Sequence, residues 1–172
     1  MFHDALKSVP SRTEAGDINV FIETPMGSEH KYELDPSGLF KIALSLPDGM
    51  RFPFGFGFVP GTEAGDGDPL DILLLTDGPV PAGFLIDARL IGVLKMENEE
   101  DGQMVRNDRI VAVAKLSRIF SDYDDLEQMR SGFAWDMERF FKTYNAMIER
   151  RFEVIGRGDR SDARKMLEDA GG

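Results

Sequence analysis

Three carboxylates stand within six residues at Asp66-Gly67-Asp68-Pro69-Leu70-Asp71, directly ahead of an apolar run that reads as a buried strand. Acids this close repel one another, so the arrangement is costly unless a cation gathers among them. Hard divalent cations such as magnesium take several oxygen ligands and keep water in the remaining positions, and carboxylates on a tight turn can supply those oxygens. Asp, Gly and Pro are also the ordinary vocabulary of exposed turns, so a solvated loop is the competing reading. A calcium loop of the EF-hand kind does not fit, because Leu70 and Asp71 stand where that motif needs a ligand and a glycine.

The rest of the composition narrows the chemistry. The 172 residues include no cysteine, and His3 and His30 are too few for an imidazole cage, so any metal must sit on oxygen. Twenty Lys and Arg against 31 Asp and Glu give a net charge of -11. That balance argues against nucleic acid, whose binding draws on clustered basic groups. A small polyanion can still reach an acidic protein if divalent cations stand between carboxylate and phosphate. The longest apolar run, Leu70 to Leu75, is broken by Asp71, and Asp4, Lys7, Arg12, Glu14 and Asp17 crowd the start of the chain. No membrane span, no secretory leader and a cytoplasmic location are therefore expected.

The elements that must position the acids follow from periodicity. Alternation predicts strands over Ile18 to Thr24 and Lys31 to Leu34, joined as a hairpin by Pro25-Met26-Gly27-Ser28, and a third strand over Leu39 to Leu46. Lys31 and Glu33 then share one strand face. In Phe52-Pro53-Phe54-Gly55-Phe56-Gly57-Phe58 every phenylalanine falls on one face of an extended chain and the small residues on the other, which makes the aromatic face core. Further strands are expected over Asp71 to Thr76, Leu85 to Met96 and Met104 to Ala114, the last two joined through Asp101-Gly102. After Ser121 the apolar residues recur at helical spacing from Leu126 to Tyr144. The result is one domain over 1–172, mainly β with α (an α+β class): an arm over 1–17, a strand-rich body over 18–120, a main helix over 124–149, a short strand over 152–155, and a terminal helix over 161–169 capped by Ser161.

The stretch D-G-D-P-L-D-I resembles the signature of the family I soluble inorganic pyrophosphatases at every position. The resemblance extends through I-E-T-P, K-Y-E-L-D, F-P-F-G-F-G-F, I-G-V-L-K-M, A-V-A-K-L-S and F-F-K-T-Y, covering most of residues 18–156. It implies a small closed OB-fold-like five-stranded barrel with peripheral hairpins and two C-terminal helices, a homohexamer, and magnesium-dependent hydrolysis of pyrophosphate to two phosphates, with manganese or another divalent cation as the alternative. By resemblance, Asp66 and Asp71 are metal ligands, and Asp68 belongs to the same cluster and orients or deprotonates the attacking water. Glu23 is a further metal-side acid, Lys31 binds phosphate, Glu33 supports the site, and Tyr144 donates to the leaving phosphate.

Several positions depart from the family pattern. Its third-strand arginine falls at Ala43, leaving Lys41 as the substitute cation. The lysine after the helix tyrosine is Asn145, with Arg150 and Arg151 as replacements, and two expected tyrosines are Phe52 and Phe56. The second acidic segment reads Asn107-Asp108-Arg109 where the family has D-x-K. Asp101 and Asp108 are then the candidate metal acids and Arg109 a candidate phosphate ligand. These losses keep two other readings open: a hydrolase of another phosphoanhydride or phosphoester, and a silent assembly subunit. An OB-fold nucleic-acid binder would need a basic groove that this composition does not suggest.

Overall fold

The computed structural model describes residues 6, 8–65, 67–130 and 132–171. Nine strands are assigned among them: β1 (Ile18–Thr24), β2 (His30–Leu34), β3 (Phe40–Ser45), β4 (Gly55–Phe58), β5 (Asp71–Leu75), β6 (Leu85–Glu100), β7 (Gln103–Arg106), β8 (Arg109–Ala114) and β9 (Phe152–Gly158). Two α-helices, α1 (Phe133–Met147) and α2 (Arg160–Asp169), and a 3-10 turn at Leu126–Gln128 complete the elements.

Pairing runs β1 to β4 to β5 to β8 to β6, and β6 pairs back onto β1, so five strands close a ring. Only the β5–β8 pair within that ring is parallel. Closure is what allows each strand to bury residues on both sides. On β5, Ile72 and Leu74 join Val20, Ile22, Val93, Ile110 and Ala112 in the cluster inside the ring, which Ala163 and Leu167 of α2 complete at one end. Leu73 and Leu75 turn outward to meet Phe54, Phe56 and Met96, and Met137 and Phe141 of α1 cover that outer cluster. The aromatic row is core as expected: Phe52, Phe54 and Phe56 are all buried, and Phe54 stacks on Phe141 with centroids 5.8 Å apart.

The structure departs from the sequence expectation in three places. The β1–β2 hairpin does not form: both edges of β1 are taken by β4 and β6, so β2 pairs with β3 in a separate ribbon. The helix expected over 124–149 begins at Phe133. Asp125 and Gln128 form a capping box on the 3-10 turn, Met129 is extended, and Gly132 has φ 92°, so the two segments cannot be one continuous helix. At the C-terminal end, Asp159 caps α2 by accepting from the Asp162 N–H, displacing Ser161 from that role, and β9 continues to Gly158 along β6. The Asp101-Gly102 turn is as expected, with φ 49° and 80° at its two residues.

Candidate active site

The acidic loop is tied down at its base before it presents any acid. Val59 N–H donates to the Leu70 carbonyl at 2.9 Å, while the buried Thr62 hydroxyl donates to the Val59 carbonyl at 2.7 Å and accepts from Leu70 N–H at 3.0 Å. Nearer the tip, Ala64 N–H donates to the Asp68 carbonyl, and Gly67 takes φ 88°. Asp68 is exposed at this tip and Asp71 opens β5. Asp66 lies outside the described residues.

Glu23 approaches from β1, and its position follows from the failed hairpin. Because β2 does not ladder onto β1, Leu34 N–H donates instead to Glu23 Oε1 at 2.9 Å, and Tyr32 N–H donates to the Thr24 hydroxyl at 2.9 Å. Side chains of β1 thus take the place of ladder carbonyls and bring the β2 face over the ring. Burial pushes Glu23 up to about 7; the Leu34 bond pulls the other way, and Asp71 adds to the rise. A carboxyl perturbed this far beside another acid marks a candidate functional group.

Next to these acids is a cavity of about 260 Å³, lined among others by Glu33 and by Asp71's partner Arg109. Lys31 and Arg109 flank it, their charged groups 5.6 Å and 5.4 Å from the Phe56 ring centroid. Lys31 Nζ is 2.6 Å from Glu33 Oε1, and Arg109 Nη1 is 2.6 Å from Asp71 Oδ2, so the cavity joins the acidic cluster through these pairs. Tyr144 reaches the same cavity from α1, and its hydroxyl is raised above its ordinary pKa by burial, with Arg150 opposing the rise. It remains a neutral donor at physiological pH, and it belongs to the apolar stripe as well.

Glu23, Lys31, Glu33, Asp71, Arg109 and Tyr144 are thus gathered around one cleft. Lys41, the candidate substitute for the cation missing at Ala43, is not: its ammonium is 2.6 Å from Asp35 Oδ2 and it does not line the cavity, whereas Arg150, one of the two candidate replacements for the lysine missing at Asn145, does. Asp101 sits at the exposed tip of the β6–β7 hairpin, away from the cavity. Asp108 accepts from Met96 N–H at 3.0 Å and pairs with Arg106 at 2.6 Å, while its neighbours Asn107 and Arg109 line the cavity. Period-two alternation puts the shifted aspartate on the wrong side of the chain. Asn98, unnoticed in the sequence, also lines the cavity. It lies beyond the expected end of β6 at Met96, and continued alternation from Met96 is the signal that would have found it.

Among the described residues, no three of Asp, Glu and His converge closely enough to hold a metal ion by themselves. A divalent cation that keeps several waters needs only one or two carboxylates, and Glu23 and Asp71, near enough for Asp71 to raise the Glu23 carboxyl, are a described pair of that kind.

Comparison with known proteins agrees with this geometry. The family model described as inorganic pyrophosphatase matches residues 20–171. An inorganic pyrophosphatase of Gluconobacter oxydans is 37% identical over 171 residues, spanning 97% of this chain and 96% of its own. One of Aeropyrum pernix is 35% identical, spanning 96% and 94%. The crystal structure of the inorganic pyrophosphatase of Thermus thermophilus superposes with a TM-score of 0.87 at 32% identity, covering 96% of this chain and 95% of that one. The Plasmodium falciparum type I enzyme, at 16% identity and TM-score 0.75, shares the fold. With a closed five-stranded ring, an acidic loop before β5 and this extent of similarity, the chain belongs to the family I soluble inorganic pyrophosphatases.

Proposed function

We propose that the chain hydrolyses inorganic pyrophosphate to two phosphates with magnesium as the preferred divalent cation. The observation that carries the reading is that half-buried Glu23 lies beside Asp71, which pairs at 2.6 Å with Arg109, one of the cations that line the cavity with Lys31 and Arg150. Acids gathered next to phosphate-binding cations make sense when a metal and a polyanion bind together.

Asp66, Asp71, Asp68 and Glu23 are the residues that would hold divalent cations, which when bound supply charge neutralisation and an acidified water. Asp68, exposed on the loop tip, takes the proton of the attacking water. Lys31 and Arg109, held by Glu33 and Asp71 over the Phe56 ring, position the two phosphoryl groups. As the water oxygen bonds one phosphorus, the bridging P–O bond breaks and its electron pair goes to the second phosphate, which Tyr144 and Arg150 stabilise by hydrogen bonding and charge.

Phosphate release from pyrophosphate and magnesium tests the reading, with Asp68→Asn and Asp71→Asn as controls. Turnover that does not exceed these controls refutes it. We also infer a homo-oligomer, a hexamer by family analogy, working in the cytoplasm; exposed Leu39, Ile42, Phe84 and Leu85 support self-association. A monomer in sedimentation at micromolar concentration refutes that part. Among the described residues no helix is long and apolar enough to cross a membrane.

A further inference from the structure

Asp71 and Arg109 each open a strand, and the two strands are parallel neighbours in which Ile72 stands opposite Ile110. Their side chains therefore leave the same end of the β5–β8 pair on one face. Arg109 Nη1 lies 2.6 Å from Asp71 Oδ2, with 13% of the Arg109 side chain exposed and 33% of that of Asp71. The same Nη1 donates to Asn107 Oδ1 and, at 3.3 Å, to the Asp108 carbonyl. Arg109 Nε is buried and has no acceptor among the described residues, an N–H that costs free energy until an acceptor reaches it. Arg109 also lines the cavity together with Lys31. One guanidinium thus faces two demands, a carboxylate already bonded to it and an anion in the cavity.

Asp71 faces two demands as well. A carboxylate paired with a guanidinium has part of its charge neutralised and attracts a second cation less strongly. We propose that Arg109 and a divalent cation compete for Asp71, and that Asp71, on taking up the cation, releases Arg109 to hold phosphate in the cavity. The inference rests on the hydrolase reading above and adds to it a coupling between metal and anion at the same site. The Phe56 ring, 5.4 Å from the guanidinium carbon, keeps the released group beside the cavity, so the exchange moves only the end of the side chain. Linkage makes the effect reciprocal: phosphate that draws Arg109 away raises the affinity of Asp71 for the cation.

Two titrations test the exchange on the wild type, Arg109→Gln and Asp71→Asn. Magnesium alone is titrated by calorimetry into metal-stripped protein, and inorganic phosphate is titrated in EDTA and followed by phosphorus NMR. Arg109→Gln removes the competitor, so magnesium should bind at least about threefold more tightly, while phosphate should bind at least about tenfold more weakly. Asp71→Asn should do the reverse, weakening magnesium at least about tenfold and tightening phosphate at least about threefold. A pair that serves only to hold the strands together lowers both affinities in both variants. Circular dichroism checks each fold, and either variant alone reads the competition if the other does not fold. Affinities that fall together or stay unchanged in a folded variant overturn the inference. Wild-type phosphate release from pyrophosphate, measured alongside, separates it from the hydrolase reading: turnover without opposite shifts overturns the exchange alone, and opposite shifts without turnover keep the exchange and overturn the hydrolase reading.

Discussion

Gly55 and Gly57 stand two residues apart on β4, yet the structure assigns the same substitution opposite outcomes. A Cβ built at Gly57 would lie 1.9 Å from the Phe21 carbonyl oxygen and 2.9 Å from its carbon, both backbone atoms of β1. Carbon and oxygen sit comfortably only beyond about 3.3 Å, so β1 and β4 would have to part by more than about 1 Å. No rotamer change relieves a clash with backbone. Gly57→Ala is therefore expected at or above the upper end of the overpacking range, about 3 kcal/mol, which for a chain of this size lowers Tm by roughly 6–12 °C. At Gly55 the new methyl would meet Leu74 and Ile22 at 3.5–3.7 Å, ordinary contact, and the substitution also reduces the freedom of the unfolded chain. Gly55→Ala should stay within about 1 kcal/mol of wild type. Urea denaturation followed by far-ultraviolet circular dichroism measures both, comparing midpoints at unchanged slope. Because β1 carries Glu23 and β4 carries Phe56, Gly57→Ala should also weaken magnesium binding. Equal midpoints for the two variants would refute the close approach of β1 to β4.

Other perturbations bear on the site. With Glu23 raised from an ordinary 4.5 to about 7, the metal-free folded protein binds a proton that the unfolded chain releases between those values. Its stability is then greatest below 4.5 and falls as pH rises to about 7, by up to about 3 kcal/mol. Urea midpoints near pH 5 and pH 8 in EDTA should show this slope, and Glu23→Gln should flatten it; parallel slopes refute the burial of an ionisable Glu23. Thr62→Val leaves the Leu70 N–H without its hydroxyl acceptor and should cost about 1–3 kcal/mol, with weaker magnesium affinity by calorimetry because the base of the acidic loop loosens. Tyr144→Phe removes the donor while keeping the packing of the stripe, so kcat should fall while Tm moves by less than about 2 °C; a loss of stability with unchanged kcat would make Tyr144 structural only. Leu167→Ala, at a fully buried end of the ring, should cost about 2–5 kcal/mol.

Much of this molecule is legible from residue order because its signals are local. Alternation in Ile18–Thr24 gave β1 to the residue, the aromatic face of the segment from Phe52 is core, and Asp101-Gly102 makes its turn. The acids of the loop and the Lys31–Glu33 pair also follow from spacing alone. Pairing partners are a different matter, since a strand pattern says which face is apolar and not which neighbour fills each edge. Thus alternation alone pairs β1 with its sequence neighbour β2, whereas ring closure gives both edges of β1 to β4 and β6 and leaves the Leu34 N–H to Glu23. Likewise Asp108 was a plausible ligand by type, but the pleat of the chain leading into β8 turns it to Met96 and Arg106 and sends Asn107 and Arg109 inward.

Residue types and their spacing determined that this chain would be strand-rich, acidic, dependent on oxygen ligands for any metal, and built around the bend at Asp66 to Asp71, because those properties depend on side-chain chemistry within a few positions. Tertiary structure decided which of many carboxylates and cations share a cleft, and that Lys41 goes to Asp35 and Arg150 to the cavity. Convergence of side chains from β1, β2, β8 and α1 depends on how the ring closes, a long-range geometry that no local pattern encodes.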